Sequence, residues 1–288
     1  MKPIKKAVIV AAGLGTRFLP ITKTFPKEML PIIDKPILQY IIEEVAASGI
    51  KEIIIVISPE KELIRKYFAP FKKLEYFLKV RGKKDLLKEI QKINKLPKIY
   101  FVYQNKPLGI ADAILKAEKR IKNEPFALLF ADDVVVSVKP CLAQLMDIYN
   151  ETGSSVLAVE TVPHQEVSHY GIIKGKKITN RKYRIIDLVE KPTVKLAPSN
   201  LAIVGRYILV PPILEAIKQL YRRSLRPGEE IYLTDALETM LGWQQKLYAC
   251  QYQGKWLSCG NKAGWLAANL EVAKNHSEIK GFVKNLKP

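Results

Sequence analysis

Short apolar runs alternate with longer stretches of helical periodicity through the first half of the chain. The run at 53–57 is apolar at every position, as a central strand covered on both faces requires. The apolar runs predict strands over 7–12, 52–57, 98–103 and 126–130. The periodic stretches predict helices over 37–47, 60–68, 83–93 and 111–121. This alternation is typical of an α/β fold with a doubly wound, mostly parallel, Rossmann-like sheet flanked by helices.

The second half of the chain has a less regular pattern. Strands are predicted over 154–161 and 201–209, and a hairpin over 171–174 and 183–189 surrounds a lysine-rich turn. Helices are predicted over 212–221, 231–241 and 263–274. The sequence contains no internal repeat, low-complexity tract or clear linker. We therefore predict one domain over residues 1–288 with a mixed α/β second half.

The composition of the chain indicates the cellular compartment in which we expect the protein. The chain has 288 residues, 48% of them hydrophobic, and no apolar run approaches the roughly 20 residues that a membrane span needs. Met1, Lys2 and Pro3 lead directly into the first strand, so no signal peptide is expected. Three cysteines are spaced for neither a metal site nor a disulfide framework. These features favour a reducing cytoplasm and no membrane partner.

The net charge of +19 has three explanations. It could serve nucleic-acid binding, guide small polyphosphates to a site, or reflect a solvated lysine-rich surface. Much of the excess lies in lysine pairs: Lys72–Lys73, Lys83–Lys84 and Lys176–Lys177. The pattern places none of these pairs in a basic helix or in a module that mixes aromatic and basic residues. We therefore favour the solvated surface, and nucleic-acid binding is not favoured.

A loop that concentrates glycine and positive charge follows the first strand. It contains Gly13, Gly15, Arg17, Lys23 and Lys27, interrupted by prolines. A loop in this position lies at the carboxyl edge of the sheet, where ligands bind. Glycine lets backbone N–H groups approach phosphate oxygens, and the cationic side chains neutralise phosphate charge. The segment therefore predicts a polyphosphate-binding loop.

Two common phosphate-binding patterns do not describe this loop. The Walker pattern G-x-x-x-x-G-K-[ST] is absent. The dinucleotide pattern G-x-G-x-x-G is matched at its first two glycines, but Phe18 stands at the third. That third glycine packs a helix closely against the strand, so phenylalanine there argues against a dinucleotide site.

The order of motifs resembles a known family. G-x-G-T-R followed by P-K-x-[ML]-x-P resembles the signature of the sugar-phosphate nucleotidyltransferases, and AAGLGTRFLPITKTFPKEMLPIIDKPILQY is similar to their uridylyltransferase branch. The resemblance continues in the family's order through FADD, HYGII, VEKP, SNLAIVGRYIL, GEEIYLTDAL and CGNKAGW. It implies an enzyme that uses Mg²⁺ to make UDP-glucose and pyrophosphate from UTP and α-D-glucose 1-phosphate. It also implies a homodimer or homotetramer.

By this resemblance, residues 1–135 mainly bind the nucleotide. Arg17 is expected to contact the β and γ phosphates and help pyrophosphate leave, and Lys27 to contact phosphates as well. Mg²⁺ is expected on Asp132, with Asp133 as a second candidate ligand, because carboxylates follow the fourth strand beside the polyphosphate. The other predicted nucleotide-binding residues are Ala11, Ala12, Gly13, Gly15, Thr16, Glu28, Gln104 and Gly109.

Residues 136–288 are expected to serve mainly sugar binding and assembly. Glu190 is expected to accept hydrogen bonds from sugar hydroxyls. Lys191 is expected to hold the sugar phosphate and bring it to the α-phosphate, which makes it catalytic together with Arg17 and Lys27. The predicted sugar-lining residues are Gly171, Ile203 and Gly205.

Two departures from the uridylyltransferase pattern leave alternatives open. Residues 109–113 read G-I-A-D-A where uridylyltransferases often have G-L-G-H-A, which is closer to thymidylyltransferases and keeps dTTP as an alternative nucleotide. Ser258 stands where the family usually has aspartate, a second metal ligand in some branches. A weakly active, regulatory paralogue that binds a nucleotide sugar is therefore the alternative of another class.

Overall fold

The structure is a computed structural model, and it describes residues 1–223 and 230–285. The strands are β1 (Lys6–Val10), β2 (Pro31–Ile32), β3 (Lys35–Pro36), β4 (Glu52–Ile57), β5 (Lys98–Tyr103), β6 (Phe126–Phe130), β7 (Asp133–Val136), β8 (Ser155–Thr161), β9 (Gly171–Lys177), β10 (Lys182–Glu190), β11 (Leu201–Leu209), β12 (Leu247–Gln251) and β13 (Lys255–Ser258). The α-helices are α1 (Ile37–Ala47), α2 (Glu62–Phe68), α3 (Lys72–Val80), α4 (Lys84–Asn94), α5 (Gly109–Ile121), α6 (Cys141–Thr152), α7 (Pro212–Arg222), α8 (Leu233–Gly242), α9 (Lys262–Ala273) and α10 (Lys280–Asn285).

A nine-stranded sheet runs through both halves of the chain in the order β5-β4-β1-β6-β11-β8-β12-β10-β9. The first four of these strands are parallel, as the strand–helix alternation predicts. The strand β11 then runs antiparallel to β6 and β8, and β10 forms an antiparallel pair with β9. The sheet is therefore parallel in the first half and mixed in the second.

Helices cover both faces of the sheet. In β1, Ala7 and Ile9 point into one apolar layer with α1 and α6, whereas Val8 points into the other layer with α5, α7 and α8. The continuous apolar runs follow from this arrangement, because a strand that is covered on both faces has no solvent-facing position. The doubly wound α/β fold predicted from the sequence is confirmed.

The predicted elements are all present, with ends within three residues of those observed. The prediction omitted α3, α6, α10, β12 and the two-stranded pairs β2–β3 and β7–β13. The pairs are short, and their residues carry no periodic signal of their own. None of the helices in residues 1–223 and 230–285 combines the length and the apolar character that crossing a membrane takes.

One prediction about the lysine pairs is wrong. Lys72 and Lys73 are the first residues of α3, which also carries Tyr76 and Phe77, and Lys84 begins α4. Basic residues therefore do lie on helices that also carry aromatic side chains. The helix α3 was missed because its large apolar residues face solvent rather than the core, so its pattern does not resemble a core-facing helix.

A buried ion pair joins β11 to α1. The guanidinium of Arg206 is fully buried and donates to Oε2 of Glu44 through Nε (3.0 Å) and Nη2 (2.9 Å). The same Nη2 donates to the backbone carbonyl of Asp133 (2.6 Å), and Oε1 of Glu44 accepts from the backbone N–H of Leu142 (3.0 Å). This network fixes the segment after β6, where the predicted metal ligands lie.

We predict that Glu44→Gln lowers the free energy of unfolding by about 3 kcal/mol, because Arg206 then keeps its charge in a buried site without an opposite charge. Urea denaturation followed by circular dichroism measures the change. Glu89→Gln is the matched control, since Glu89 pairs with Lys92 at the surface, and we expect little change. Equal effects of the two substitutions would contradict the structural role of the buried pair.

Candidate active site

A cavity of about 420 Å³ lies at the carboxyl ends of β1 and β6 and extends to β9, β10 and the start of α8. Residues from both halves of the chain form its wall. The predicted site residues in this wall are Gly13, Arg17, Lys27, Glu28, Asp132, Asp133, Gly171, Glu190, Lys191 and Ile203. Among the described residues, the predicted residues outside the wall are Ala11, Ala12, Gly15, Thr16, Gln104, Gly109 and Gly205.

The glycine-rich loop leaves the sheet directly after β1. Gly15 has a φ of +70°, in the left-handed region that favours glycine, and it starts the 3₁₀ turn Thr16–Phe18. Its carbonyl accepts a hydrogen bond from the Thr22 hydroxyl (2.8 Å). Gly13 has no neighbour within 4 Å of the position that a Cβ would occupy. Its backbone is therefore open to a ligand that enters the cavity.

Lys61 holds this loop in place. Its ammonium donates to the carbonyls of Ala11 (2.7 Å) and Gly13 (2.6 Å), and to both carboxylate oxygens of Glu28 (2.8 Å each). Lys61 is only 7% exposed and Glu28 is fully buried. Burial raises the pKa of Glu28 and lowers that of Lys61, and the opposite charge of each partner opposes these shifts.

Lys61 is a site residue that sequence reasoning missed. Its one sequence signal is its position just after β4, since that strand also ends at the ligand-binding edge. Glu28, predicted to help hold the nucleoside, lines the cavity while its carboxylate is bound by Lys61. Its contact with a nucleoside stays a prediction.

Arg17, Lys27 and Asp132 converge at one side of the cavity. The ammonium of Lys27 forms an ion pair with Oδ2 of Asp132. A Cβ placed on Gly260 would lie 3.3 Å from that same oxygen and 3.7 Å from Nη1 of Arg17. Burial favours the protonated carboxyl, but the Lys27 charge overcomes it and holds the pKa of Asp132 below its usual value. Both partners of this pair are therefore charged at neutral pH.

Asp133 has a different environment from its neighbour. Its Oδ1 accepts a hydrogen bond from the indole N–H of Trp256 (2.8 Å). Burial, together with the negative charge of Asp132, raises the pKa of Asp133 to about 6. Oδ2 lies 2.6 Å from the position of a Cβ on Gly205, so Gly205 gives space to this carboxylate. Gly205 itself lies outside the cavity wall, and its role in lining the sugar site stays a prediction.

The second half supplies a polar cluster at the opposite side. Oε2 of Glu190 accepts a hydrogen bond from the Thr234 hydroxyl (3.1 Å), and Oε1 lies 3.0 Å from the Lys191 ammonium. That ammonium lies 5.0 Å from the centre of the Tyr232 ring, within the range of a cation–π interaction. A Cβ on Gly171 would lie 3.2 Å from Oε2 of Glu190, so glycine leaves the carboxylate accessible.

Thr234 and Tyr232 carry no role in the sequence analysis, although both belong to GEEIYLTDAL. Both line the cavity and position the charged groups of the VEKP motif. The first two residues of GEEIYLTDAL, Gly228 and Glu229, lie outside the described residues. The one sequence signal for a role of Thr234 and Tyr232 is the position of GEEIYLTDAL in the order of the family's motifs.

Gln104 has a fixed amide orientation. Its Nε2 donates to the carbonyl of Gly109 (2.9 Å) and to Oδ2 of Asp112 (2.8 Å). Since both neighbours are acceptors, the amide nitrogen must face them, and Oε1 is the atom that can accept from a ligand. Gly109 and Asp112 engage the donor side of the amide, and the contact of Gln104 with the nucleotide stays a prediction.

The carboxylates of the cavity fit a magnesium ion that takes few ligands from the protein. Within the described part of the chain, no three or more His, Cys, Asp or Glu side chains are grouped to hold a metal. Asp132 presents one carboxylate to the cavity, and Ser258, paired in register with Asp133, adds a neutral hydroxyl. Mg²⁺ commonly uses one or two carboxylates together with phosphates and waters. The residues present therefore fit an ion that takes few protein ligands, and the role of Asp132 as its ligand stays a prediction.

The cavity thus combines an open glycine loop, an arginine and several lysine–carboxylate pairs at the carboxyl edge of an α/β sheet. Such an arrangement is suited to phosphate groups that must be held close together while one of them is transferred. The fold and the site therefore indicate the class of protein: an enzyme that transfers a nucleotidyl or phosphoryl group.

Comparison with known proteins specifies this class. The nucleotidyl transferase family matches residues 6–275, and the chain belongs to this family. A UTP–glucose-1-phosphate uridylyltransferase of Staphylococcus epidermidis is 45% identical over 290 residues, which cover 99% of each chain. A protein of Staphylococcus saprophyticus, named UTP–glucose-1-phosphate uridylyltransferase 2, is 44% identical over 291 residues, 100% of this chain and 99% of that one.

Solved structures agree with these relatives. A UDP-glucose pyrophosphorylase in complex with UDP-glucose is 39% identical, with a TM-score of 0.85, and the match covers 95% of this chain and all of that one. A UTP-bound enzyme of the same kind from Acinetobacter baumannii is 36% identical, with a TM-score of 0.90 and coverage of 99% and 100%. The resemblance to the uridylyltransferase branch found in the sequence is confirmed.

We predict that Lys61→Met lowers the free energy of unfolding by about 3 kcal/mol or more, because it leaves the Glu28 carboxylate buried without its partner. The double variant Lys61→Met/Glu28→Gln should recover part of this loss, since the uncompensated charge is gone. Urea denaturation of these two variants and of Glu28→Gln alone gives the coupling free energy. Lys88→Met, at an exposed lysine of α4, is the control; a cost as small as that of the control would contradict this role of Lys61.

We predict a pH-dependent contribution from Asp133. Its pKa of about 6 exceeds the ordinary 3.8, so the folded state binds this proton more tightly than the unfolded chain. This contribution stabilises the fold below pH 3.8 and is lost as the pH rises through 6, at most about 3 kcal/mol. Asp133→Asn removes it, so the unfolding free energy of the variant relative to wild type should rise between pH 4 and 7.

Urea denaturation at a series of pH values tests the Asp133 prediction. Asp85→Asn, at an exposed position of α4, serves as the matched control and should leave the pH dependence unchanged. Parallel curves for wild type and Asp133→Asn across the whole range would show that Asp133 does not titrate in this window.

Proposed function

We propose that this chain makes UDP-glucose and pyrophosphate from UTP and α-D-glucose 1-phosphate. The observation that carries the proposal is one cavity whose wall combines the glycine loop, Arg17 and Lys27 of the first half with Glu190 and Lys191 of the second. An enzyme that joins two phosphate-bearing substrates needs cationic groups on both sides of the reacting phosphorus atom. The full-length relatives named as uridylyltransferases support the same reaction.

The reaction requires positioning rather than proton transfer. The attacking oxygen of the sugar phosphate is already an anion, so no general base is required. Arg17 and Lys27 neutralise the triphosphate and stabilise the departing pyrophosphate, and the open backbone of Gly13 faces the same phosphates. Lys191 holds the sugar phosphate against the α-phosphate, so that the nucleophile and leaving group lie in line.

Glu190 orients the sugar in this scheme. Its carboxylate accepts hydrogen bonds from the hydroxyl groups of glucose, while Thr234 and Lys191 fix its position. Gly171 leaves room for the sugar beside this carboxylate, and Ile203 provides an apolar wall.

The orientation of Gln104 suits a uracil or thymine base. In these bases N3 carries a hydrogen that Oε1 of Gln104 can accept, whereas N3 of cytosine has none. The buried carboxylate of Asp112, 5% exposed, keeps the amide from turning, because rotation would bring Oε1 against two acceptors. Between these two bases, dTTP stays the alternative nucleotide; the relatives and the UTP-bound structure support UTP.

Asp132 is the residue that would hold Mg²⁺, with Asp133 and Ser258 beside it. A bound Mg²⁺ supplies positive charge to the triphosphate. With Mg²⁺ held by Asp132, Lys27, which pairs with Asp132 in the structure, would be available for phosphate oxygens. Assembly into a homodimer or homotetramer, the cytoplasmic location and the division of a single domain at about residue 135 stay predictions.

Pyrophosphate release with glucose 1-phosphate, Mg²⁺ and each of UTP, dTTP and CTP tests the proposal. We expect the highest kcat/KM with UTP and a lower value with CTP, because cytosine has no N3–H and would have to shift to bring its N4–H to Oε1 of Gln104. Asp132→Ala should reduce turnover by about a hundredfold or more. Asp85→Ala, at an exposed position of α4, is the control and should retain full turnover.

Ser258→Asp separates the enzyme from the regulatory alternative. Turnover by the wild type would show that the neutral hydroxyl of Ser258 is tolerated. Absence of turnover in the wild type and its appearance in Ser258→Asp would assign the chain to the weakly active, nucleotide-sugar-binding class. Higher turnover with dTTP than with UTP would overturn the choice of nucleotide.

A further inference from the structure

The helical hairpin formed by α3 and α4 exposes an unusual number of large apolar side chains. It connects α2 to β5, the strand at one edge of the sheet. Tyr76 is 71% exposed, Phe77 53% and Val80 65%, all on α3. Leu86, on α4, is 57% exposed. Solvent exposure of such side chains within a few residues of one another marks an interaction surface rather than a random scatter.

The exposed residues of α3 lie on one face of the helix. Tyr76 and Val80 are four residues apart and thus adjacent on the helix surface, with Phe77 beside them. The opposite face carries Leu74, which is partly buried, and Leu78, which is buried. The inner leucines account for the packing of α3 against the protein, so its outer apolar face is not needed for the fold.

Basic residues surround this apolar face. Residues 72–95 contain nine lysines and arginines and three acidic residues, which gives +6 of the chain's net charge of +19 within 24 residues. Lys72, Lys73 and Lys79 are exposed on α3, and the guanidinium of Arg81 lies 5.6 Å from the centre of the Phe77 ring. The hairpin therefore presents an apolar stripe with a dense basic border.

We propose that the outer face of α3 and α4 docks on an anionic lipid bilayer. Helices that enter the interface of a bilayer combine aromatic or aliphatic side chains with flanking lysines and arginines. The apolar side chains insert among the headgroups, and the lysines neutralise the anionic lipids.

The distribution of charge selects this partner among the alternatives. A second copy docked hairpin to hairpin would bring two surfaces of +6 together, which is unfavourable. A nucleic acid would use the lysines, but aliphatic side chains such as Val80 and Leu86 add nothing to phosphate contacts. The bilayer is the partner that uses both the apolar stripe and the basic border.

Docking on the bilayer leaves the reaction site free. The hairpin adjoins β5 at the sheet edge, whereas the cavity lies at β1 and β6, and β4 separates β5 from β1. No residue of the hairpin lines the cavity. The inference is therefore independent of the proposed reaction.

Vesicle flotation of the full chain tests the inference. We expect binding to vesicles that contain phosphatidylglycerol, little binding to phosphatidylcholine vesicles, and weakening of binding at high salt. Lys72→Glu/Lys73→Glu/Lys79→Glu should reduce partitioning by about tenfold or more. Tyr76→Ser/Phe77→Ser/Val80→Ser should also reduce partitioning onto the vesicles. The reduction should be largest for the binding that persists at high salt.

The matched control is Lys174→Glu/Lys176→Glu/Lys177→Glu, which changes the net charge equally at exposed positions of β9. Thermal unfolding of every variant confirms that it is folded. Equal loss of binding in the control and in the α3 charge variant would overturn the inference, as would equal binding to neutral vesicles. Tighter binding of RNA or DNA through the same lysines would assign the face to nucleic acid, and dimers abolished by the serine variant would assign it to a second copy.

Discussion

The ammonium group of Lys61 is the contact on which the nucleotide side of the cavity depends. It binds the carbonyls of Ala11 and Gly13 and both carboxylate oxygens of Glu28, and so fixes the start of the loop and the segment after it. A glycine loop that must expose its N–H groups cannot stabilise itself through side chains of its own. A buried donor from the next strand–helix unit performs this task instead.

The aspartates after β6 follow the same principle at a larger scale. Arg206 joins β11 of the second half to Glu44 of the first, and also binds the carbonyl of Asp133. A buried charge of this kind is stable only when opposite charge and acceptors surround it. The aspartates after β6 are therefore held by a strand that lies far away in sequence. Both halves of the chain must be folded before the cavity exists.

Much of the fold was predictable, because its signals are local. A strand such as β4 is apolar at every position, and the loop of Gly13 and Gly15 needs only its own residues to suggest phosphate binding. The roles of Lys61 and Thr234 were not predictable in this way, since Lys61 acts on Gly13 across 48 residues and Thr234 on Glu190 across 44. The wrong prediction about the lysine pairs has the same origin. The helix α3 exposes its large apolar side chains to solvent, and the tertiary structure rather than the local sequence determines which side chains are exposed.

The crystal structure of the chain bound to UDP-glucose tests the central claim most directly. The account predicts uracil beside Oε1 of Gln104, the diphosphate between Arg17 and Lys191, and glucose against Glu190. Electron density for a ligand that contacts neither Gln104 nor Glu190, or one with glucose at Gln104 and uracil at Glu190, would contradict the account.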